Sequence, residues 1–284
     1  MPSAKRILIT GATGRQGGAV AGALAEQGFD LRAMTRTPDG AAAKALADRG
    51  VTIVNGDLDD AGSIRRALDG AWGAFSVQNT WEAGVEKEEE QGKRFATIAR
   101  EAGVEHFVYS SVGSAHRRTG IPHFENKWRI EATVRALGFP SHVILRPVFF
   151  MENLVSPSFL NGDALAAALP PDTVLQMIAV RDIGQYGARA FTDAARLNRR
   201  EIDIAGDAQT MPAAAETLAA ALGRPIRFVP VPIAEVRKNS EDFAAMLEWF
   251  IRVGYDADIP ALEREFGIRP TTLKAWAAEH ARTR

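Results

Sequence analysis

Three glycines near the amino terminus have the spacing that lets a polypeptide backbone lie against a pyrophosphate. Gly11, Gly14 and Gly17 follow an apolar stretch at 6–10 and precede a helical pattern that runs to Gln27. Gly11 allows a tight turn, Gly14 keeps side chains away from the phosphates, and Gly17 permits close helix packing. The positive end of the helix then faces the phosphates. The segment predicts a dinucleotide-binding turn rather than a purely structural one, formed by Gly11, Thr13, Gly14, Arg15, Gln16 and Gly17.

A basic residue stands at the position that usually selects between dinucleotides. NAD sites commonly place a carboxylate at the end of the second strand, where it binds the ribose 2′-hydroxyl and repels a 2′-phosphate. This chain has Arg36 there, with Lys44 within reach in the next helix. A guanidinium suits a phosphate, so NADP(H) is favoured over NAD(H), unless Arg36 is an ordinary solvated arginine. Asp57 and Leu58 follow the third strand, and Asp57 is either an adenine ligand or the N-cap of the next helix.

The elements that must position these residues alternate between strand and helix. Short apolar stretches predict strands at 6–10, 31–35, 52–54, 73–78, 106–110 and 142–145. Helical patterns separate them at 17–27, 40–49, 61–68, 87–101 and 125–137. This repetition predicts an α/β fold with a doubly wound parallel sheet.

The pattern is looser in the second half of the chain. We expect a loop with a short helix at 151–172, an extended run at 174–180, a helix at 181–192 and a strand at 201–204. After residue 210 come a helix, a strand at 226–231 and three further helical pieces. The loop begins where a sixth parallel strand ends, so we predict that 151–172 is a mobile flap over the ligand.

Composition narrows the class of protein. The 284 residues include 34 basic and 35 acidic side chains, so no global charge attracts nucleic acid or an anionic membrane. The absence of cysteine excludes disulfides, thiolate metal sites and a cysteine nucleophile. We find no metal-ligand spacing, no signal-peptide core and no apolar run near the roughly 20 residues of a membrane span. A cytoplasmic protein without a resident metal is expected.

Seven segments carry a resemblance to a known family. They read GATGRQGG at 11–18, TRTP at 35–38, NGDLDD at 55–60, VQNTWE at 77–82, VYSSV at 108–112, HFENK at 123–127 and LRPVFFMENL at 145–154. The chain thus resembles the NmrA-like branch of the atypical short-chain dehydrogenases/reductases, especially the animal NmrA-like redox sensors. The resemblance implies an NADP-binding Rossmann domain that comprises residues 1–152 and also 177–206. It also implies a smaller α/β domain for substrate or partner over 153–284, with a cleft between the two.

The family's catalytic pair is altered in this chain. Catalytic short-chain dehydrogenases use Tyr-x-x-x-Lys on one helix face, where the lysine binds the nicotinamide ribose and the tyrosine protonates the carbonyl. Here Lys127 is kept, whereas His123 takes the place of the tyrosine. His123 is either a general acid or a residue that packs at the helix start and caps its backbone. Lys127 is a candidate ribose ligand, and the alternative is an exposed helix lysine.

Further candidates lie where ligands bind in open parallel sheets, beyond the carboxyl ends of the strands. Phe150 and Met151 either shape an apolar pocket or pack between domains. Tyr109 falls inside the fifth strand and is expected in the core. The residues predicted to contact the cofactor or its acceptor at this edge are Asn79, Trp81, Ser110, Ser111, Pro147, Phe149 and Asn153.

Two functions fit these residues. The leading hypothesis is an NADP(H)-binding regulator of the redox-sensor type, with weak oxidoreductase activity and a protein partner. The rival is an NADPH-dependent reductase of a quinone, an enone or another flat apolar acceptor. A homodimer is compatible with both hypotheses, and neither involves nucleic acid or a membrane.

Overall fold

The computed structural model describes residues 4–282, and a parallel sheet forms its centre. The strands are β1 (Arg6–Ile9), β2 (Asp30–Thr35), β3 (Thr52–Asn55), β4 (Gly73–Ser76), β5 (His106–Ser110), β6 (Ser141–Pro147), β7 (Phe149–Phe150), β8 (Leu160–Asn161), β9 (Ala164–Ala167), β10 (Val174–Ile178), β11 (Arg200–Ile204), β12 (Asp207–Thr210) and β13 (Arg227–Pro230). Seven of them pair in the order β11-β6-β5-β4-β1-β2-β3, all parallel. The predicted doubly wound sheet is confirmed.

Helices connect these strands and cover both faces of the sheet. They are α1 (Arg15–Leu24), α2 (Ala41–Ala47), α3 (Ala61–Leu68), α4 (Thr80–Ala83), α5 (Val85–Glu101), α6 (Pro122–Ala136), α7 (Val180–Thr192), α8 (Met211–Leu222), α9 (Ile233–Asn239), α10 (Glu241–Arg252), α11 (Ile259–Phe266) and α12 (Leu273–Arg282). Two short 3-10 helices lie at Ala115–Arg117 and Met151–Val155. No helix within residues 4–282 is long and apolar enough to span a membrane.

Residues 7–9 of strand β1 are all apolar because they are buried on both faces of the sheet. Ile7 and Ile9 are fully buried in a hydrophobic cluster that includes Val20 of α1. Leu8 points to the opposite face, into a second cluster that includes Phe95 of α5. A strand buried on both faces cannot alternate apolar with polar residues, and this is the pattern typical of a parallel sheet covered by helices.

Helix α7 supports the glycine turn indirectly, through close packing against helix α1. It packs on α1 through two glycines, because a Cβ on Gly184 would lie 2.6 Å from the Ala19 carbonyl oxygen. A Cβ on Gly187 would lie 2.5 Å from a methyl carbon of Val20. Such close helix contact fixes the direction in which the amino terminus of α1 points.

The carboxyl-terminal region is a smaller α/β arrangement with two short sheets, β12-β10-β7 and β13-β9-β8. The expectation that 151–172 is a loop with a short helix is wrong in part. After its 3-10 helix the segment forms the antiparallel pair β8–β9, and β9 pairs with β13. Phe159 and Leu165 of this segment are buried. Strands of two and four residues are too short to produce a readable alternation, and the flap remains a prediction.

Candidate functional site

The glycine turn has the shape needed to cradle a phosphate group. Gly11 has a φ of +59°, and its carbonyl oxygen accepts a hydrogen bond from the Gly14 amide at 2.9 Å. A Cβ on Gly17 would lie 2.4 Å from that same oxygen, so only glycine fits there. A Cβ on Gly14 would meet no atom closer than 3.3 Å. Helix α1 begins at Arg15, and its first amide groups face out over this open surface. The turn therefore fits a dinucleotide pyrophosphate.

A small cavity of about 250 Å³ lies beyond the ends of β2 and β3. Arg36 lines it, and of the described residues Arg66 rather than Lys44 supplies the second cation. Asp57 also lines the cavity, and its carboxylate accepts from the Asp59 amide at 2.9 Å. The alternative role of Asp57 as the N-cap of α3 is wrong, because Asp60 holds that position. Leu58 follows Asp57 on the chain and packs against the neighbouring hydrophobic cluster.

Arg36 already has a partner across the cleft. Its guanidinium forms an ion pair and hydrogen bond with Glu82 of α4, although both side chains are more than half exposed. The hydrogen bond and the charge of Glu82 raise the pKa of Arg36 above its usual value. Any anion that binds Arg36 competes with this carboxylate.

A larger cavity of about 620 Å³ opens beside the glycine turn. This size suits a drug-sized ligand. The cavity joins residues from the amino-terminal sheet to others from α9 and α10, which lie far away in the sequence. The sequence-predicted residues that line it are Gln16, Asn79, Trp81, Ser111, His123, Lys127, Pro147, Phe149, Phe150 and Asn153, and other lining residues are Thr80, Glu88, Phe124, Phe159, Phe243 and Tyr255. Met151 does not line the cavity and is fully buried in a hydrophobic cluster instead.

Two sequence-predicted residues, Ser110 and Arg15, bond to side chains that line this cavity without lining it themselves. Ser110 donates to the Gln16 side chain at 2.6 Å, so Ser111 is the serine that faces the cavity. Arg15 reaches the Asn153 side chain at 2.9 Å and so ties the glycine turn to the chain after β7. Tyr109 is fully buried, and the prediction that it belongs to the core is confirmed.

Lys127 pairs with another residue that lines the cavity. It forms an ion pair with Glu88 of α5, whose side chain is fully buried. Asn126 donates to the other Glu88 oxygen at 2.9 Å. Burial alone would raise the pKa of Glu88, but Lys127, with Asn126 and Thr80, outweighs it and keeps the pKa below its usual value. Lys127 is thus not an ordinary exposed lysine, and its charge is balanced by Glu88.

His123 stands at the start of α6 with its ring among aromatic side chains. The Trp81 ring centre is 5.2 Å away, and the Phe124 ring meets it edge-on at 4.8 Å. The alternative that His123 caps its own helix is wrong. Instead Asp242 of α10 accepts a hydrogen bond from the His123 backbone amide at 3.0 Å. Its other oxygen lies 2.6 Å from His123 Nδ1.

Sequence reasoning missed Glu88, Asp242, Phe243 and Tyr255. The buried Glu88 sits in a run of charged residues that is typical of a solvated helix, and nothing local marks it as different. Asp242 lies 119 residues from His123 along the chain. Asp242 and Phe243 occupy the first turn of α10, so they read from the sequence as a helix start.

Comparison with characterised proteins gives several full-length likenesses. A (4-alkanoyl-5-oxo-2,5-dihydrofuran-3-yl)methyl phosphate reductase from Streptomyces griseus is 29% identical over 97% of this chain and 98% of its own. The structure of NmrA, a negative transcriptional regulator, in complex with NAD has a TM-score of 0.82 at 22% identity, covering 99% of this chain and 96% of that one. The Citrobacter triphenylmethane reductase complexed with NADP(H) has a TM-score of 0.79 at 19% identity, covering 98% and 99%.

Other matches are partial. The NmrA-like family domain-containing oxidoreductase FrzB of Cladobotryum is 35% identical over 161 residues, 53% of this chain and 48% of that protein. The chain thus matches about half the length of this and similar relatives. The NmrA-like family model matches residues 3–280. With the parallel sheet, the glycine turn and this match over nearly all its length, the chain belongs to the NmrA-like family.

Proposed function

We propose that this protein is an NADPH-dependent reductase of a flat, apolar acceptor such as a quinone or an enone. The observation that carries the proposal is the 620 Å³ cavity, which adjoins the glycine turn and shares Gln16 with it. A cofactor extending from the turn would bring its nicotinamide to this cavity. The same cavity is also lined by Trp81, Phe159 and Phe243, whose rings offer a surface for a flat acceptor.

The chain's own residues divide the work of binding the cofactor. The amide groups at the start of α1 would hold the pyrophosphate, and Arg36 with Arg66 would hold a 2′-phosphate. Asn79 and Pro147 line the cavity at the ends of β4 and β6, where they would hold the nicotinamide. When bound, NADPH would supply a hydride at this point.

The acceptor's side of the cavity is apolar and aromatic. Trp81 meets Phe243 edge-on at 6.0 Å, and Phe243 in turn meets Phe159 at 6.1 Å. Faces and edges of aromatic rings favour a flat unsaturated ligand. Phe149, 6% exposed, continues this wall towards the sheet. These rings would exclude water from the acceptor, which protects a hydride donor from side reactions.

Acceptor screening tests the proposal. Purified protein with NADPH is mixed with quinones, enones and aldehydes, and cofactor oxidation is followed beside the dissociation constants of NADPH and NADH. We expect oxidation that depends on protein and saturates with a flat acceptor. Tight NADPH binding with no oxidation by any acceptor class would reject the reductase.

One observation favours a second candidate, the redox-sensor type of regulator. The Arg36–Glu82 ion pair links the 2′-phosphate position to α4, whose neighbouring Trp81 covers His123 and Phe243. A 2′-phosphate that took Arg36 from Glu82 would change the contacts of α4 and so the surface offered to a partner. Hydrogen exchange of 79–84 should then respond to NADPH but not to NADH. An equal response to both cofactors would reject this role for the ion pair.

A further inference from the structure

A carboxylate from the carboxyl-terminal half of the chain reaches the histidine that replaces the family's tyrosine. Asp242 contacts His123 twice, at the backbone amide and at ring atom Nδ1. Both side chains are largely buried, with 8% of His123 and 16% of Asp242 exposed. The Nδ1–Oδ2 distance is 2.6 Å, but the oxygen lies off the ring N–H axis. Catalytic hydrogen bonds often align only when a ligand binds, and the 2.6 Å separation puts Asp242 within reach of such a bond.

The two ring nitrogens of His123 have different surroundings. Nδ1 is buried and lies 2.6 Å from Asp242 Oδ2. His123 also lines the 620 Å³ cavity, and with Nδ1 beside Asp242 the other nitrogen, Nε2, is the one available to a ligand there. A carboxylate beside one nitrogen keeps the proton on that side and leaves the other nitrogen free for proton exchange.

We propose that His123 is the proton donor of the reduction and that Asp242 is its positioning residue. The inference rests on the proposed reductase function. A hydride brings two electrons and one hydrogen to the acceptor, so one proton completes the reduced product. Imidazolium Nε2–H gives that proton to the acceptor oxygen, and the ring becomes neutral with its remaining proton on Nδ1 beside Asp242. Water returns a proton to Nε2 for the next cycle.

Other acidic groups near the cavity are less suited to this step. Lys127 is held by the buried carboxylate of Glu88. Tyr109 is fully buried in the sheet, and burial raises its pKa well above the usual value. Tyr255 lines the cavity, but burial raises its pKa too, which makes it a weaker acid. His123 is therefore the group whose chemistry near neutral pH fits the transfer.

The test separates the pairing of the two residues from turnover. Nitrogen NMR of ¹⁵N-histidine-labelled protein without cofactor reports which ring nitrogen carries the proton, and His123→Gln assigns the signal. We expect the neutral form of His123 in the unmutated protein to carry its proton on Nδ1, whereas the imidazolium form that donates carries protons on both ring nitrogens. Asp242→Asn keeps an oxygen that can accept from the His123 amide but removes the charge, so the Nδ1–H preference should weaken. Glu241→Gln is the matched control, since Glu241 lies one residue away and pairs with the exposed Arg237.

Kinetics with an acceptor that turns over complete the test. His123→Gln should lower kcat by about 10²–10⁴-fold, as expected for loss of a general acid. Asp242→Asn should lower kcat by about 10–100-fold, as for removal of a carboxylate that orients a histidine, with KM nearly unchanged. Unchanged kcat in both variants, or a neutral His123 ring whose proton is on Nε2, would overturn the inference. A protein without turnover but with the Nδ1–H tautomer would reject the reductase while leaving the pairing established.

Discussion

Arg36 offers a guanidinium at the edge of a small cavity, where NADP(H) and NAD(H) differ by one phosphate. A charge-assisted hydrogen bond contributes about 1.5–3 kcal/mol, which corresponds to roughly one to two decades of affinity. Arg36→Gln should therefore weaken NADPH binding by that factor and leave NADH binding nearly unchanged, and Arg36→Asp should reverse the preference. Calorimetry with both cofactors measures this. Arg65→Gln is the control, since Arg65 pairs with Glu101, and an equal loss for both cofactors in Arg36→Gln would contradict the assignment.

Glu82 should act in the opposite direction. Its carboxylate occupies Arg36 and would repel an incoming phosphate. Exposed ion pairs contribute about 0.2–1 kcal/mol, so Glu82→Gln should tighten NADPH binding by up to roughly fivefold. NADH affinity should change less in the same titration. Weaker NADPH binding in Glu82→Gln would show that the ion pair supports the phosphate site instead of competing with it.

Single residues were predictable where the requirement is local. Gly17 must lack a side chain because a Cβ there would lie 2.4 Å from the Gly11 carbonyl oxygen in the same turn. The glycine spacing in the sequence shows this requirement directly. Asp242 and Glu88 were not predictable in the same way. Each acts through a partner brought near by folding, 119 residues away for Asp242 and 39 for Glu88 with Lys127. The sequence around each resembles an ordinary solvated helix.

The position of helix α1 depends on the close contact between Gly17 and the turn that precedes the helix. Gly17→Ala would push a methyl group into the Gly11 carbonyl, and overpacking of this kind costs about 1–3 kcal/mol. We expect that loss in the free energy of unfolding, with weaker NADPH binding because the helix start shifts. Gly22→Ala in the same helix is the control, since its methyl group would meet only the flexible end of Arg49. Similar stability for the two variants in denaturant titration would refute the packing argument.

His106 joins strand β5 to its neighbours and should make stability depend on pH. Its ring nitrogens lie 2.8 Å from Ser141 Oγ and 2.9 Å from the Ala190 carbonyl oxygen. Burial lowers the pKa of His106 from 6.5 to about 4, so the folded chain keeps the ring neutral where the unfolded chain protonates it. The neutral His106 ring therefore contributes on the order of 3 kcal/mol to the free energy of unfolding above pH 6.5. This contribution is lost as the pH falls towards 4.

Denaturant unfolding between these pH values measures the effect. The unfolding free energy should fall with decreasing pH in the unmutated protein, and it should fall less in His106→Gln. His142→Gln should change the slope less, because burial lowers the pKa of His142 but the charge of Glu201 opposes that shift. The same pH slope in His106→Gln and in the unmutated protein would contradict the account of His106.

Elements were predictable where burial on both faces made the sequence distinctive. Strands β1 to β6 are short apolar runs, and the structure places each of them in the large sheet. The strand at Arg200–Ile204 also joins that sheet, beside β6. The missed strands are Phe149–Phe150, Leu160–Asn161, Ala164–Ala167 and Asp207–Thr210. Strands of two to four residues carry no periodic signal, and their pairing depends on partners distant in sequence.

At the scale of the whole molecule, the cavity lies where two hydrophobic clusters meet. One cluster contains Val148 and the helices that support the glycine turn, and the other contains Phe149, Phe159 and Met246 of the carboxyl-terminal region. Phe149, Phe159 and Met246 line the cavity together with Gln16 of the turn. In the proposed reductase, the amino-terminal half would hold the cofactor and the carboxyl-terminal region would hold the acceptor.

In the proposed reaction, a cofactor bound at the glycine turn reduces a molecule held against the rings of Trp81, Phe159 and Phe243. Anaerobic rapid mixing tests this reaction, with the NADPH-loaded protein in one syringe and quinones or enones in the other. We predict NADPH oxidation that is faster than in free solution and saturates with acceptor concentration. NADPH that stays tightly bound and unoxidised with every flat acceptor would contradict the reductase and leave the sensor.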